Sequence, residues 1–226
     1  MTIGVVILCR FSSSRLPGKI LLPIAGKPIL THIVQRVNRS GLPVVVATSD
    51  QASDDVIEQH CKLIGVVCFR GSLDNVAERF LQAAKLQGWR YATRINGDNL
   101  FVDPGLLAEM AQLAASGDYE FITNVPGRSY PLGASIEIVD VKAYSSMAAG
   151  FIEPRHREHV TLFLYEHLES CKYFIQENPR REAMAGLNLA IDTEEDYLRA
   201  QRIVSGLPEP LLDRSLIEIV NSEKLL

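Results

Sequence analysis

Short runs of aliphatic and β-branched residues recur at positions 3–8, 43–48, 66–69 and 91–95, and amphipathic stretches at helical spacing lie between them. Continuous apolar runs of this length predict strands buried on both faces. Helices are predicted over 28–40, with Pro28 in a first turn, over 53–63, with Ser53 as a cap and Gly65 past its end, and over 74–86. Asp103-Pro104 starts a further helix that runs to Ser116, after which Phe121-Ile122-Thr123 and 135–139 read as later strands and 141–149 and 157–169 as helices. Strands alternating with helices need crossover connections. The pattern therefore predicts an α/β fold, a mostly parallel central sheet covered by helices, with ligands gathered at the carboxyl ends of its strands.

Residues 124–134 carry Pro126, Gly127, Pro131 and Gly133, which reads as a loop over the site rather than a boundary. Linkers, repeats and low-complexity tracts are missing from the sequence, so 1–226 is read as one domain, with 124–176 as an acceptor-binding or dimerisation subregion. Beyond Pro208-Glu209-Pro210, an amphipathic segment at 213–220 packs either on the domain or on another subunit, which leaves a homodimer open.

Composition narrows the function classes. In 226 residues, 23 basic and 27 acidic side chains give a net charge of −4, which provides no global field for a nucleic-acid backbone, so any phosphate site is local. The first apolar run is far shorter than a membrane span and has no basic segment before it, which predicts a cytoplasmic protein without membrane contact. Cys9, Cys61, Cys68 and Cys171 form no C-x-x-C pair and are expected to be reduced thiols.

The chemistry concentrates directly after the first strand. Cys9-Arg10-Phe11-Ser12-Ser13-Ser14-Arg15-Leu16-Pro17-Gly18-Lys19 combines three cations with three hydroxyls, yet is neither a Walker motif nor G-x-G-x-x-G. Such a segment is either a solvated basic turn or a loop whose backbone N–H groups and cations hold phosphates, and its place after strand one favours the second.

Arg15-Leu16-Pro17-Gly18-Lys19 followed by Ala25-Gly26-Lys27-Pro28 resembles the opening of the cytidylyltransferases that activate acidic sugars. The resemblance is nearest to the spore-coat polysaccharide biosynthesis group and continues through Phe69-Arg70-Gly71-Ser72, Arg94-Ile95-Asn96-Gly97-Asp98, Asn124, Tyr130-Pro131, Arg157-Glu158-His159-Val160-Thr161 and Ile191-Asp192-Thr193-Glu194-Glu195-Asp196. It implies a nucleotide-diphosphosugar transferase (Rossmann-like) fold and transfer of CMP from CTP to a sugar or related acceptor, with Mg²⁺ held by Asp98 and Asp192. In that reading Cys9, Arg10, Ser12, Ser13, Ser14, Arg15, Lys19, Arg70 and Asn96 bind the nucleotide, with Arg15 and Lys19 offsetting charge on the triphosphate and departing pyrophosphate. Asn124, Tyr130, Glu137, Arg157 and His159 face the acceptor.

Both aspartates are expected at strand ends, Asp98 after the fourth strand and Asp192 after the apolar run 187–191, although each could instead cap a helix or stabilise a turn. Glu137 either binds acceptor hydroxyls or pairs with Arg128. His156 and His159, three apart, are expected on one face of a helix start, in a structural or substrate-binding role rather than as zinc ligands. His32, His60 and His167 fit amphipathic helices, and Phe80, Trp89 and Tyr91 read as packing residues. The sequence departs from the family pattern at Phe11-Ser12, at Asn99-Leu100-Phe101 and at Ser135. Those departures leave two alternatives: a nucleotidyltransferase with another base or a non-sugar acceptor, and a non-catalytic nucleotide-binding member of the fold.

Overall fold

A computed structural model describes residues 2–207 and 210–223 of the chain. Its first half runs β1 (Ile3–Leu8), β2 (Pro23–Ile24), β3 (Lys27–Pro28), α1 (Ile29–Asn38), β4 (Val44–Ser49), α2 (Asp55–Leu63), β5 (Val67–Gly71), α3 (Val76–Leu86), β6 (Tyr91–Asn96) and α4 (Pro104–Ala115). The second half adds β7 (Phe121–Thr123), β8 (Glu137–Asp140), α5 (Val141–Ala148), α6 (Pro154–Glu158), α7 (Leu162–Glu166), β9 (Tyr173–Ile175), α8 (Arg181–Met184), α9 (Glu194–Gly206) and α10 (Leu216–Glu223).

Seven strands form one sheet in the order β5-β4-β1-β6-β8-β7-β9. Every pairing is parallel except the two made by β8. β1 shows why the strands read as unbroken apolar runs: Val5 and Ile7 enter the core under α1 and α4, while Val6 and Leu8 enter the one under α3 and α5. Because β4 is added on one side of β1 and β6 on the other, the connections that leave the carboxyl ends of β1 and β6 diverge and leave a crevice. β8 runs backwards, so its first residue, Glu137, lies at the same end of the sheet as the last residues of β6.

Several boundaries differ from the sequence reading. Ser53 lies inside a 3₁₀ turn, Ala52–Asp54, and caps nothing. The helix expected over 157–169 is broken into α6, α7 and a 3₁₀ turn, because His159 leaves helical geometry at φ −103° and ψ 92°. Pro208 and Glu209 lie outside the described residues, but beyond them Leu216, Ile219 and Val220 of α10 are buried against the domain, which fits the amphipathic tail. Phe80, Trp89 and Tyr91 are buried, as their packing role requires. All four cysteines are free thiols.

Candidate functional site

The loop after β1 is tied at both ends. Cys9 N–H donates to the Ala47 carbonyl at 3.3 Å, while the Phe11 carbonyl accepts from Ser13 N–H at 2.9 Å and from Gly18 N–H at 2.8 Å, closing the loop on itself. Its outer anchor is Asp54, fully buried beyond the end of β4. One carboxylate oxygen accepts the Phe11 N–H at 2.8 Å, and the other accepts Thr48 Oγ1–H at 2.8 Å, Ser49 N–H at 2.9 Å and Ser49 Oγ–H at 2.5 Å. Burial alone would raise the Asp54 pKa, but the donors from Ser49, Phe11 and Thr48 together hold it below the ordinary carboxylate value.

Two close approaches place the acidic pair. Gly97 follows β6, and a Cβ there would lie 2.7 Å from Cys9 Cβ, so only glycine lets the 97–98 turn pack on the loop after β1. Gly133 has φ +85°, and a Cβ there would meet Ala190 N at 2.4 Å. That contact, with Leu132 N–H donating to the Leu187 carbonyl at 2.9 Å and Leu189 N–H to the Leu132 carbonyl at 2.8 Å, holds 187–191 across the mouth of the cleft. This segment is not the strand the sequence suggested. It is extended chain joined to the 132 loop by the single bridge Leu132–Asn188, and Ile191 N–H donates to the Asp98 carbonyl at 3.3 Å. Asp192 therefore arrives beside Asp98 by backbone pairing with β6's end, not by being a strand end itself. The capping box of α9 is made by Thr193 and Asp196, which leaves the Asp192 side chain to the cleft.

Lys19 joins the two halves. Its ammonium lies 2.9 Å from Asp192 Oδ1 and 3.7 Å from Asp98 Oδ2, and it donates to the Ile191 carbonyl at 2.7 Å. Arg15 reaches Asp192 Oδ1 at 2.9 Å from a side chain that is 63% exposed. Burial pushes the Asp98 carboxyl pKa above its ordinary value, Lys19 acts against that rise, and the neighbouring Asp192 charge adds to it. Asp98 Oδ1 is buried and has no hydrogen-bond partner among the described residues. An acid this strained electrostatically is suited to a cation of higher charge than one lysine.

The cleft has two lobes that meet at these acids. One, a cavity of about 320 Å³, is bounded by Cys9, Arg10, Ser13, Ser14, Arg15 and Lys19, and by Val76 at the N-terminus of α3. The other, about 350 Å³, is bounded by Arg128, Ser135, Glu137, Thr161 and Tyr165. Asn96 and His159 line both. Ser12 is exposed and turned away from the first lobe. The Cys9 thiol is buried, which raises its pKa and leaves it neutral in the cleft wall.

Other residues named from the sequence lie elsewhere. Arg70 is engaged at the sheet edge by Asp55 at 2.5 Å, Glu58 at 3.0 Å and the Gln51 carbonyl at 2.7 Å, away from both lobes. Asn124 is buried and bonds the backbone of Ala134 and Ile136, fixing the 124–134 loop rather than a ligand. Tyr130 borders a separate pocket beside Met184 and Leu216. Arg157 donates to the Phe151 carbonyl at 3.1 Å and does not line the cleft. His156 is buried against Glu166 at 2.7 Å and does not share a helical face with His159, since α6 ends between them. Glu137 is held by Arg94, not Arg128.

Three cations that line the cleft went unnamed as site residues: Arg79, Arg94 and, at the second lobe, Arg128. Arg79, on α3, is buried, donates to the Ser72 carbonyl at 2.5 Å and lines the first lobe. Arg94, on β6, lines both lobes. Inward-facing arginines on apolar elements carry no periodic signal. Only the neighbouring Asp98 in the same short motif pointed towards Arg94.

The whole arrangement has close relatives. A spore coat polysaccharide biosynthesis protein, SpsF, of Bacillus subtilis (strain 168) is 35% identical over 201 residues, 85% of this chain and 82% of that protein. A 3-deoxy-manno-octulosonate cytidylyltransferase of Nitrosococcus oceani is 34% identical over 118 residues, 50% of this chain and 44% of its own. The solved structure of a cytidylyltransferase from Leptospira borgpetersenii serovar Hardjo-bovis superposes with a TM-score of 0.93 at 32% identity, covering 100% of this chain and 94% of that one. The family described as "Cytidylyltransferase" matches residues 4–209. With a closed cationic loop, two converging aspartates and relatives alike over nearly its full length, the chain belongs to the cytidylyltransferase family.

Proposed function

We propose that this protein moves CMP from CTP to a hydroxyl or phosphate of a sugar, releasing pyrophosphate, in the synthesis of a surface polysaccharide or other glycoconjugate. The meeting of Asp98 and Asp192 around Lys19, at the seam between a cationic lobe and a mixed polar lobe, carries this reading. The relatives' names supply the base and the sugar class: a cytidylyltransferase of 3-deoxy-manno-octulosonate and a polysaccharide biosynthesis protein. Arg10, Arg15 and Lys19 bind the triphosphate and stabilise the departing pyrophosphate, while the seam orients the α-phosphorus towards the second lobe.

The acids fit Mg²⁺. Among the described residues no group of three or more His, Cys, Asp or Glu side chains could hold a metal alone. Mg²⁺ commonly takes one or two carboxylates and completes its shell with water and phosphate oxygens, which is what Asp98 and Asp192 offer. When bound, the ion would lower the charge on the phosphate oxygens. Ser135 and His159 line the second lobe, where in this reading they would meet acceptor hydroxyls. A pyrophosphate-release screen across four nucleoside triphosphates and a panel of acidic sugars tests the reading. Release only with CTP and a sugar is expected, and equal release with all four triphosphates would remove the cytidine assignment.

A further inference from the structure

Arg94, Asn96, Asp98, His159 and Asp192 line both lobes. In a group transfer, the phosphorus that changes partners is the one atom approached from both sides, so side chains at this seam face the group being moved. Two of the five are the acids of the proposed metal site, and Asn96 is neutral. Arg94 is the only permanent cation among them.

A buried network fixes that cation. β8 pairs with β6 so that Glu137 lies opposite Arg94, and with β7 so that Glu137 lies opposite Thr123. Glu137 is 2% exposed, with Oε2 accepting from Arg94 Nη1 and Oε1 accepting the hydroxyls of Thr161 and Tyr165, each at 2.6 Å. The Tyr165 oxygen also lies 2.7 Å from Thr123 Oγ1. Burying a carboxylate is costly, and an apolar pair of the same size often serves stability equally well, so this network is better explained by what it aims than by what it stabilises. Among the described residues Arg94 Nε, itself buried, has no hydrogen-bond partner, and the side chain, 19% exposed, lines the cleft.

We propose that Arg94 is a catalytic residue that binds the α-phosphoryl group during transfer, and that Glu137 is the residue that positions it. The proposal rests on the nucleotidyl-transfer reading above. An acceptor oxygen gives a lone pair to the α-phosphorus, the bond from that phosphorus to the bridging oxygen breaks, and its electron pair leaves on pyrophosphate. A hydroxyl acceptor releases its proton to solvent, whereas a phosphate acceptor has none to release. Arg94 keeps its protons and offsets the charge on the non-bridging oxygens.

Calorimetric titration with CMP and with cytidine isolates the contact, because the two ligands differ only in that phosphoryl group. Wild-type protein is expected to prefer CMP by about tenfold or more. Arg94→Gln combined with Glu137→Gln removes both charges together, so neither is left buried alone. This double variant should lose most of the preference and about a hundredfold in kcat. Arg15→Ala should weaken CTP while leaving the CMP-to-cytidine ratio intact. Glu137→Gln alone should lower kcat more than it raises KM for CTP, a split that mere loss of stability would not produce. An unchanged ratio in a folded double variant overturns the proposal even if wild-type turnover of CTP is normal. Wild-type protein that binds neither ligand removes the reading on which the proposal stands.

Discussion

Lys19 Nζ lies 2.9 Å from Asp192 Oδ1 across 173 positions of chain, so the loop after β1 and the turn before α9 meet at one carboxylate, which Arg15 also reaches. A triphosphate would compete with Asp192 for the same ammonium. Lys19→Ala and Arg15→Ala are each expected to weaken CTP binding by roughly ten- to a hundredfold, the value of one charge-assisted contact. Arg15 is mostly exposed, so its variant should melt with the wild type. CTP titrations beside melting curves check both statements, and unchanged affinity in both variants would return the loop to ordinary surface.

Asp98→Asn and Asp192→Asn should each keep the fold and lower metal-dependent pyrophosphate release by about a hundredfold or more. Asp98 is the sharper case: its charged form is disfavoured by burial and by Asp192, so the neutral amide should leave the melting temperature unchanged or higher. Turnover at limiting and saturating magnesium measures this.

Asp54 does not itself bound the first lobe, yet it holds the Phe11 N–H from which the loop is hung. Asp54→Asn cannot accept from all four donors, and one of them would face an amide N–H. The expected result is a loss of about 1–3 kcal/mol in stability together with a higher KM for CTP. Thr48→Val, which removes a donor on the sheet side only, should cost stability without the rise in KM.

Much of the fold was legible because buried parallel strands are written as unbroken apolar runs, and β1 and β7 begin and end where those runs do. What was not legible depends on contacts distant in sequence. Residues 187–191 read as a strand, but their apolar side chains serve a chain pinned by Leu132 and Gly133 rather than a sheet ladder. Asn124 and Tyr130 matched family positions, yet their polar atoms serve the 124–134 loop and a separate pocket. The two aspartates that meet at Lys19 were singled out through motif content. Arg94 was passed over because its partner, Glu137, becomes adjacent only through the antiparallel β8 pairing.

Arg36 is fully buried on α1 and donates to the carbonyls of Val102, at 2.8 Å, Leu211, and Arg214, at 2.9 Å, tying the C-terminal segment to the core. Burial lowers its pKa to about 10. Arg36→Met would withdraw the guanidinium from three carbonyls, of which that of Leu211 still accepts the Arg214 N–H at 3.2 Å, and denaturant unfolding should show a loss of about 3 kcal/mol.

His32 is buried and its ring lies 2.7 Å from the Ile24 carbonyl. Burial moves its pKa below the ordinary 6.5, only partly offset by that carbonyl. The unfolded chain therefore binds the proton more readily, so the His32 contribution is complete above about pH 6.5 and falls as the pH drops below it. Melting temperatures taken downward from about pH 7.5 should decline through this window, less steeply in His32→Asn.

The most direct measurement is a calorimetric titration of CTP, with and without Mg²⁺, into the wild type and into Asp98→Asn combined with Asp192→Asn. The wild type should bind CTP at one site and more tightly with the metal, while the double variant should keep weak binding and lose the metal's effect. Equal enhancement by Mg²⁺ in both proteins, or none in either, would contradict a site built from these two aspartates and the loop that reaches them through Lys19.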